Sequence, residues 1–180
     1  SYKYKDKDYF VGGICKGCDC PSKEFVGWMH EEYGNLDENY TYANLMVNAN
    51  YPLFVNYFIP ELSSRKNILV CNEEAKTDNL PFPVKHSFRV GKNCIVNNHH
   101  LIEDIKEYID KENIEDHVFL FSASSLSEIL IHKLHQHNKK NTYVDIGTTL
   151  HPYLGLDPAR DYLRSYWSGT NHPDLYKECK

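Results

Sequence analysis

The second half of the chain alternates between two kinds of hydrophobic pattern. Short runs rich in β-branched and aromatic residues predict strands at residues 67–71, 94–97, 117–123 and 142–147. The stretches between these runs have the spacing of amphipathic helices. Because strands and crossover helices follow one another in turn, the pattern predicts a parallel sheet with helices on both faces.

Two of these helices are well specified by their apolar positions. The helix at residues 99–110, with Asn98 available as its N-cap, has an inward face formed by Ile102, Ile105 and Ile109. The helix at residues 125–137 opens with Ser125 and Glu128, a capping-box pattern, and has an apolar stripe formed by Leu126, Ile129, Leu130 and Leu134.

The remaining elements are predicted at the two ends of the chain. A helix at residues 22–34 is expected to turn inward Phe25, Trp28 and Met29, and another at residues 52–62 begins with Pro52. Residues 72–93 indicate a loop with one short strand. A short helix at residues 159–167 contains Arg160 and Arg164.

These elements predict an α/β fold: a Rossmann-like three-layer sandwich with a mainly parallel central sheet and a helix-rich N-terminal third. The length of 180 residues and the 41% hydrophobic content suit one core, so we expect residues 1–180 to form a single domain. Ligands of such sheets bind beyond the carboxyl ends of the strands. The residues that follow each strand are therefore the candidates for function.

The charge of the chain narrows the expected partners. Its 20 basic and 25 acidic residues give a net charge of -5, which provides no uniform positive field for nucleic acid or an anionic membrane. It has no run of about 18 apolar residues and its amino end is polar, so we expect a soluble, cytoplasmic protein without membrane insertion. The chain starts at Ser1 without an initiator Met, which leaves both processing and excision from a longer protein with flanking domains open.

Small residues follow the third predicted strand and precede a helix: Ser122, Ser124 and Ser125, with Ala123 among them. Such a turn exposes backbone N–H groups and the positive end of the helix dipole, which suits a phosphate or diphosphate. The alternative is that Ser125 only caps the helix. No glycine-rich nucleotide fingerprint accompanies this turn.

The fourth predicted strand carries Asp145 near its end, and the chain continues through Gly147, Thr148 and Thr149. A carboxylate in this place can accept hydrogen bonds from sugar hydroxyls or hold a metal ion, and Gly147 lets a ligand approach the backbone. The alternative is that Asp145 caps local N–H groups.

Polar side chains also follow the first two predicted strands. Asn72 and Glu73 come after the first strand, and Asn98 and His99 come after the second. Each is an ordinary loop residue when taken alone. We include them among the candidate ligand contacts because the strand ends of a parallel sheet share one edge.

Cysteine and histidine offer a metal alternative. Cys15, Cys18 and Cys20, with His30 as a fourth ligand, have the residue types of a zinc site, but the second cysteine pair of a zinc ribbon is absent. A metal-free loop is the simpler interpretation, and in a chain this long the six cysteines indicate reduced thiols. The spacing of three further histidines on one helix indicates solvated side chains: His132, His135 and His137.

The segments VFLFSASSLSEILIHKL and TYVDIG resemble the carboxyl half of GT-D type glycosyltransferases, in which a strand, a small-residue loop and a Y-x-D-I-G strand recur. Upstream, YTYANLMVNANYPLF, NILVC and FRVGKNCIVNN are similar to the same family order, so the resemblance covers about residues 40–150. The chain is also similar to glycosyltransferase domains of large DNA viruses. The family's Asp-Gly-Glu motif is absent, and we expect Asp19 or Glu24 to occupy that region, after Gly12 and Gly13.

The resemblance implies a transferase that moves a sugar from a nucleotide-diphosphate donor, UDP-linked, to a glycan hydroxyl. It places the diphosphate near residues 122–125 and the donor sugar near Asp145. The helix N-terminus, with Arg160 or Arg164, would neutralise the diphosphate, with or without Mn²⁺ or Mg²⁺. The candidate bases for the acceptor hydroxyl are Asp145, Glu73, Asp19 and His99.

Two other classes of function stay open from the residues. One is a non-catalytic or isomerase-like α/β module that binds a phosphorylated sugar through the serine turn. The other is a zinc-stabilised interaction domain built around Cys15, Cys18 and Cys20.

Overall fold

The computed structural model describes residues 4–13, 23–33 and 39–170. Two short strands, β1 (Val11–Gly13) and β2 (Tyr40–Tyr42), form a two-stranded parallel sheet that the sequence pattern does not predict. The main sheet has the order β4-β3-β5-β6 and is parallel throughout. Its strands are β3 (Lys66–Asn72), β4 (Val84–Val90), β5 (His117–Phe121) and β6 (Thr142–Asp145). The predicted parallel α/β architecture is confirmed.

The described residues contain the helices predicted from apolar spacing, together with a one-turn helix at residues 94–97 that is not predicted. They are α1 (Lys23–Tyr33), a continuous helix made of α2 (Tyr51–Leu53), a π-helical turn (Phe54–Phe58) and α3 (Ile59–Leu62), then α4 (Cys94–Asn97), α5 (Leu101–Lys111), α6 (Leu126–His137) and α7 (Asp161–Ser168). Short 3-10 turns lie at Asn48–Asn50 and Thr77–Asn79. Within the described ranges, no helix has the length and apolar character needed to cross a membrane.

Helices cover both faces of the main sheet because successive residues of its central strands point to opposite sides. In β3, Leu69 and Cys71 join one apolar cluster with residues of α2, α3 and α7, including Tyr51, Ile59, Leu62 and Leu163. Ile68 and Val70 join the other cluster, whose helical members come from α5 and α6, including Ile105, Ile109, Leu126, Leu130 and Leu134. The predicted inward positions of α5 and α6 therefore form the core on one face.

The strand predicted at residues 94–97 is wrong: this segment is the one-turn helix α4. Asn93, immediately before it, has a left-handed backbone with φ 54°, which turns the chain out of the extended conformation. Ile95 and Val96 are exposed, and only Cys94 is buried. The strand lies instead at β4, inside the region predicted to be mainly loop, because the polar residues of this edge strand hide its apolar pattern.

The predicted cap of α5 is wrong, whereas Ser125 does occupy the N-cap position of α6 but does not cap it with its side chain. Asn98 ends α4 rather than capping α5, and its Oδ1 accepts a hydrogen bond from Gly91 N at 3.2 Å. The side chain of Ser125 makes no capping hydrogen bond. The hydroxyl of Ser127 instead accepts a hydrogen bond from Ala123 N at 3.1 Å, which fixes the turn before α6 from inside the helix.

Two exposure predictions for helical side chains also fail. In α1, Met29 is buried as expected, but Phe25 and Trp28 are 45% and 52% exposed and lie against each other. In α6, His135 is only 7% exposed although a solvated side chain was expected. Its burial depends on the amino-terminal segment, which is far away in sequence.

Candidate functional site

The carboxyl ends of the four main strands share one edge of the sheet because the strands are parallel. From β3 the chain crosses to β4 on one side, and from β5 it crosses to β6 on the other side. The connections that leave β3 and β5 therefore run in opposite directions across the sheet. Open α/β sheets bind ligands at the point between two such strands. The predicted site residues fall into two groups, one on each side of this point.

The first group gathers around Gly91, at the ends of β3 and β4. Glu73 N donates to Val90 O at 2.9 Å, and a Cβ added at Gly91 would lie 3.1 Å from Glu73 Oε1. Asn98 contacts the same glycine, because its Oδ1 accepts a hydrogen bond from Gly91 N. The side chain of Asn72 is used locally, since its Oδ1 accepts a hydrogen bond from Glu74 N at 2.8 Å. The structure therefore brings together Asn72 and Glu73, at the end of β3 as predicted, and Asn98, which follows helix α4 rather than the predicted strand.

Arg89 is part of this group but is missed by sequence reasoning. Its Nη1 donates to Ala75 O at 2.7 Å and lies 3.3 Å from Asn72 O, so it fastens the loop after β3. Burial raises the pKa of the neighbouring Cys71 thiol above its ordinary value, and the positive charge of Arg89 offsets this effect only in part. His99 is exposed in the turn between α4 and α5, next to Asn98.

The turn after β5 has two free backbone donors. Ser122 N donates to Val70 O at 2.8 Å, and Ala123 N is occupied by the hydroxyl of Ser127. Ser124 and Ser125 are exposed, and their backbone N–H groups donate no hydrogen bond within the described part of the chain. Ser124 has a left-handed backbone with φ 50°, which sets the turn into α6. This arrangement leaves N–H groups available to an anion at the N-terminus of a 12-residue helix.

The turn after β6 lies directly beside the turn after β5, because Asp145 is the register partner of Phe121. Asp145 Oδ1 accepts a hydrogen bond from Gly147 N at 2.9 Å. The carboxyl group reaches solvent, yet the surrounding protein removes enough water that desolvation raises its pKa. The hydrogen bond from Gly147 N lowers this pKa, and the negative charge of Glu128 raises it further. Asp145 is therefore a better proton acceptor than a fully solvated aspartate.

Gly147 leaves open space beside this carboxylate. It has a left-handed backbone with φ 50°, and a Cβ added there would meet no atom within 4 Å. A ligand can therefore approach the backbone at this point, as the sequence predicts.

The two threonines that follow Gly147 differ in their surroundings. Thr149 is fully buried, its hydroxyl donates to Ile146 O at 2.7 Å, and its carbonyl accepts a hydrogen bond from Tyr51. The side chain of Thr149 therefore belongs to the core rather than to the open edge. Thr148 Oγ1 lies 3.5 Å from Tyr162 OH. Arg160 is exposed just before α7, and its charge lowers the pKa of Tyr162, which burial raises.

A cavity of about 880 Å³ opens beside Asp145 and is not predicted from the sequence. It lies between β6, an edge strand of the main sheet, and the β1–β2 sheet. Asp145 and Gly147 line it together with Glu128 and His135 of α6. Its volume is within the range of about 300–1,000 Å³ that is typical of small-molecule sites.

The amino-terminal segment forms one wall of this cavity and packs on α6. The rings of Tyr4 and Tyr9 meet His132 and His135 edge-on, with centroids 5.2 Å apart for Tyr4–His132 and 5.1 Å apart for Tyr9–His135. An ion pair between Asp6 and Lys139 adds a polar link. We call residues 4–10 with this contact the docked segment.

The docked segment desolvates both imidazoles. Nδ1 of His132 and Nδ1 of His135 are buried without a hydrogen-bond partner. Burial lowers the pKa of each of the two histidines, and for His135 the nearby charges of Asp6 and Asp8 oppose this effect. Neutral imidazoles therefore suit this contact better than charged ones.

Several predicted ligands lie outside the described residues: Asp19, Cys15, Cys18 and Cys20. In α1, Glu24 is exposed. Within residues 4–13, 23–33 and 39–170, no three His, Cys, Asp or Glu side chains lie close enough together to hold a metal ion. Protein-bound Mg²⁺ commonly uses one or two carboxylates and completes its ligand set with substrate phosphates. Glu128, which lines the cavity beside Asp145, fits that smaller requirement.

Sequence reasoning misses Glu128 and His135 as cavity residues for an identifiable reason. Both lie on α6, where Glu128 has the position of a capping residue and His135 has that of a polar surface residue. Their helix spacing alone does not reveal the cavity, because its opposite wall comes from residues 4–13 and 39–47, which are far away in sequence. Comparisons with protein-family models, with curated proteins and with solved structures find no match to this chain.

Proposed function

We propose that this chain is a glycosyltransferase with a Rossmann-like fold that transfers a sugar from a nucleotide-diphosphate donor, UDP-linked, to a glycan hydroxyl. One observation carries the proposal. After β5, two backbone N–H groups donate no hydrogen bond within the described residues, and they lie at the strand end next to that of β6, where the Asp145 carboxylate lines a cavity. Sugar transfer with inversion from such a donor needs an anion site and a proton acceptor close together.

In this proposal the diphosphate lies at the turn after β5. The N–H groups of Ser124 and Ser125 and the positive end of the α6 dipole stabilise the negative charge that develops on the leaving diphosphate. The Gly147 turn gives the donor sugar room next to the backbone. Arg160 supplies a positive charge near Thr148 at the same edge.

Asp145 is the preferred base. Its raised pKa favours uptake of the proton from the acceptor hydroxyl as that oxygen bonds to the sugar carbon and the bond from the carbon to the diphosphate breaks. The electron pair of the broken bond leaves with the diphosphate. Glu73 and His99 belong to the group on the other side of the divergence between β3 and β5, so they rank below Asp145.

A divalent cation would be held by Glu128 together with the diphosphate oxygens, which leaves the Asp145 carboxylate to act as the base. When bound, Mn²⁺ or Mg²⁺ supplies further charge neutralisation to the diphosphate. The side chains named above bind and orient the substrate with or without the ion.

Titration of UDP into the protein, with and without Mn²⁺ and followed by calorimetry, tests the anion site. Ser125→Glu places a negative charge in the exposed turn, so we expect it to weaken UDP binding by about tenfold or more. Ser64→Glu is the matched control because Ser64 is exposed at the opposite edge of the sheet, before β3. If UDP, GDP and dTDP all fail to bind, the proposed function is wrong.

Hydrolysis of UDP-sugars separates an enzyme from a binding module. We expect slow release of free sugar that Asp145→Asn reduces by about a hundredfold or more, since a general base typically contributes on that scale. UDP binding without any turnover across the common UDP-sugars would favour the alternative of a non-catalytic module.

A further inference from the structure

We propose that the cavity between β6 and the β1–β2 sheet binds the acceptor, and that this acceptor is an uncharged oligosaccharide. The inference rests on the proposed glycosyltransferase function and identifies where the second substrate binds. Its starting point is location, because the cavity opens on Asp145 and Gly147 on the side of β6 that is away from the serine turn after β5.

The aromatic lining fits sugar rings. Tyr40 and Tyr42 face the cavity from β2 and meet each other at 90°, and Tyr42 is 46% exposed. Tyr143 lies on the opposite wall, and its hydroxyl is already used to donate to Asn138 O at 2.8 Å. Because the Tyr143 ring also packs against Phe119, with centroids 5.1 Å apart, it contributes only the ring surface that this contact leaves uncovered. Tyrosine rings offer flat apolar surfaces on which the C–H faces of a sugar can stack.

The polar lining favours a ligand rich in hydroxyl groups. Asp8, Glu128 and Asp145 all line the cavity, and ionised carboxylates only accept hydrogen bonds. Asp145 Oδ1 is held by Gly147 N, whereas Oδ2 has no hydrogen-bond partner among the described residues. An acceptor hydroxyl can therefore donate to Oδ2, which is the atom that takes the proton in the proposed reaction.

The charges of the lining argue against other ligand classes. The three carboxylates outnumber the two lysines of the lining, Lys5 and Lys139, and the charge of Lys139 is paired with Asp6 in the docked segment, so the lining repels an anionic ligand. A purely apolar ligand would leave these carboxylates desolvated without partners, which is costly. A neutral ligand with many hydroxyls satisfies both conditions.

The test uses methyl α- and β-glycosides of glucose, galactose, mannose and N-acetylglucosamine as probes, with saturation-transfer NMR on the full chain in saturating UDP. Tyr42→Ala and Glu128→Gln change the two walls, and both residues are accessible enough to solvent that we expect the variants to fold. Tyr57→Ala is the control because Tyr57 is 69% exposed and lies outside the cavity. We expect at least one glycoside to bind, and each wall variant to weaken its binding by about fivefold while UDP affinity, measured without a divalent cation, changes little.

The outcomes separate the two proposals. Binding of UDP with no binding of any glycoside would overturn the acceptor site and leave the transferase proposal in place. Glycoside binding that neither wall variant weakens would also overturn the acceptor site, because the sugar would bind elsewhere. Absence of UDP binding with a glycoside still bound in the cavity would overturn the transferase proposal, and the cavity would then be a carbohydrate-binding site rather than an acceptor site.

Discussion

Replacing Tyr51 by Phe removes one oxygen atom from the core and two hydrogen bonds with it. The Tyr51 hydroxyl donates to Thr149 O at 3.0 Å and accepts a hydrogen bond from Trp167 Nε1 at 3.0 Å. It therefore links α7 to the loop that begins at Asp145. The Phe ring keeps the stacked contact with Phe54, whose centroid is 5.9 Å away, so apolar packing is retained.

The size of the effect follows from the burial of the two partners. Thr149 is fully buried, so its carbonyl would lose a hydrogen bond that water cannot replace, at a cost of about 1–3 kcal/mol. Trp167 is 46% exposed, so its N–H can turn to water and the second loss is small. We expect Tyr51→Phe to lower the free energy of unfolding by about 2 kcal/mol, and the melting temperature by roughly 4–8 °C for a chain of this size.

Urea unfolding followed by tryptophan fluorescence and far-UV circular dichroism measures this change. Tyr57→Phe is the matched control because Tyr57 is 69% exposed, and we expect its free energy of unfolding to stay within about 0.5 kcal/mol of the original. A Tyr51→Phe variant as stable as that control would refute the reasoning, because it would mean that the buried hydroxyl does not link the loop to α7.

Three further predictions concern charge and packing. Glu128→Gln removes a negative charge that raises the pKa of Asp145, so NMR titration should show that pKa falling; an unchanged value would contradict the coupling. Burial lowers the pKa of His135 below its ordinary 6.5, so the stability that the neutral ring contributes is complete above that pH and is lost as the pH falls. The urea midpoint should therefore fall between about pH 7 and pH 5 in the original protein, and fall less in the His135→Phe variant. Equal decreases in the two proteins would contradict this role of His135. Ile105→Ala should cost about 2–5 kcal/mol in the same unfolding assay because Ile105 is fully buried, and the partly buried Ile102 should cost clearly less when changed to Ala.

The sheet is predictable from the sequence where burial is uniform. β3 has five consecutive buried residues, and a strand covered on both faces shows such an unbroken apolar run. β4 lies at the edge and carries Lys85, His86 and Arg89, so its pattern resembles a loop while the shorter apolar run at residues 94–97 resembles a strand. The pattern therefore predicts the strand at the wrong place because β4, at the solvent-exposed edge of the sheet, carries polar residues that hide its strand pattern.

The site is less predictable because it depends on contacts between distant residues. The end of β3 could be identified from the sequence, and Asn72 and Glu73 lie there; Asn98 reaches the same glycine from the end of helix α4, which the sequence pattern does not predict. The cavity could not be identified from the sequence, because its walls come from residues 4–13 and 39–47 on one side and from β6 and α6 on the other. Strands of three residues, such as β1 and β2, have too little periodicity to be seen before they pair.

The parallel order of the main sheet also has a consequence for how the chain acquires its structure. β3 pairs on one side with β5, about fifty residues later, so a nascent chain must finish β4, α4 and α5 before that pairing can start. Long-range parallel pairing of this kind slows folding. Until β5 emerges, the buried run of β3 is a hydrophobic segment with an unsatisfied edge, which favours aggregation. Slower synthesis or lower temperature during expression should therefore raise the yield of folded protein.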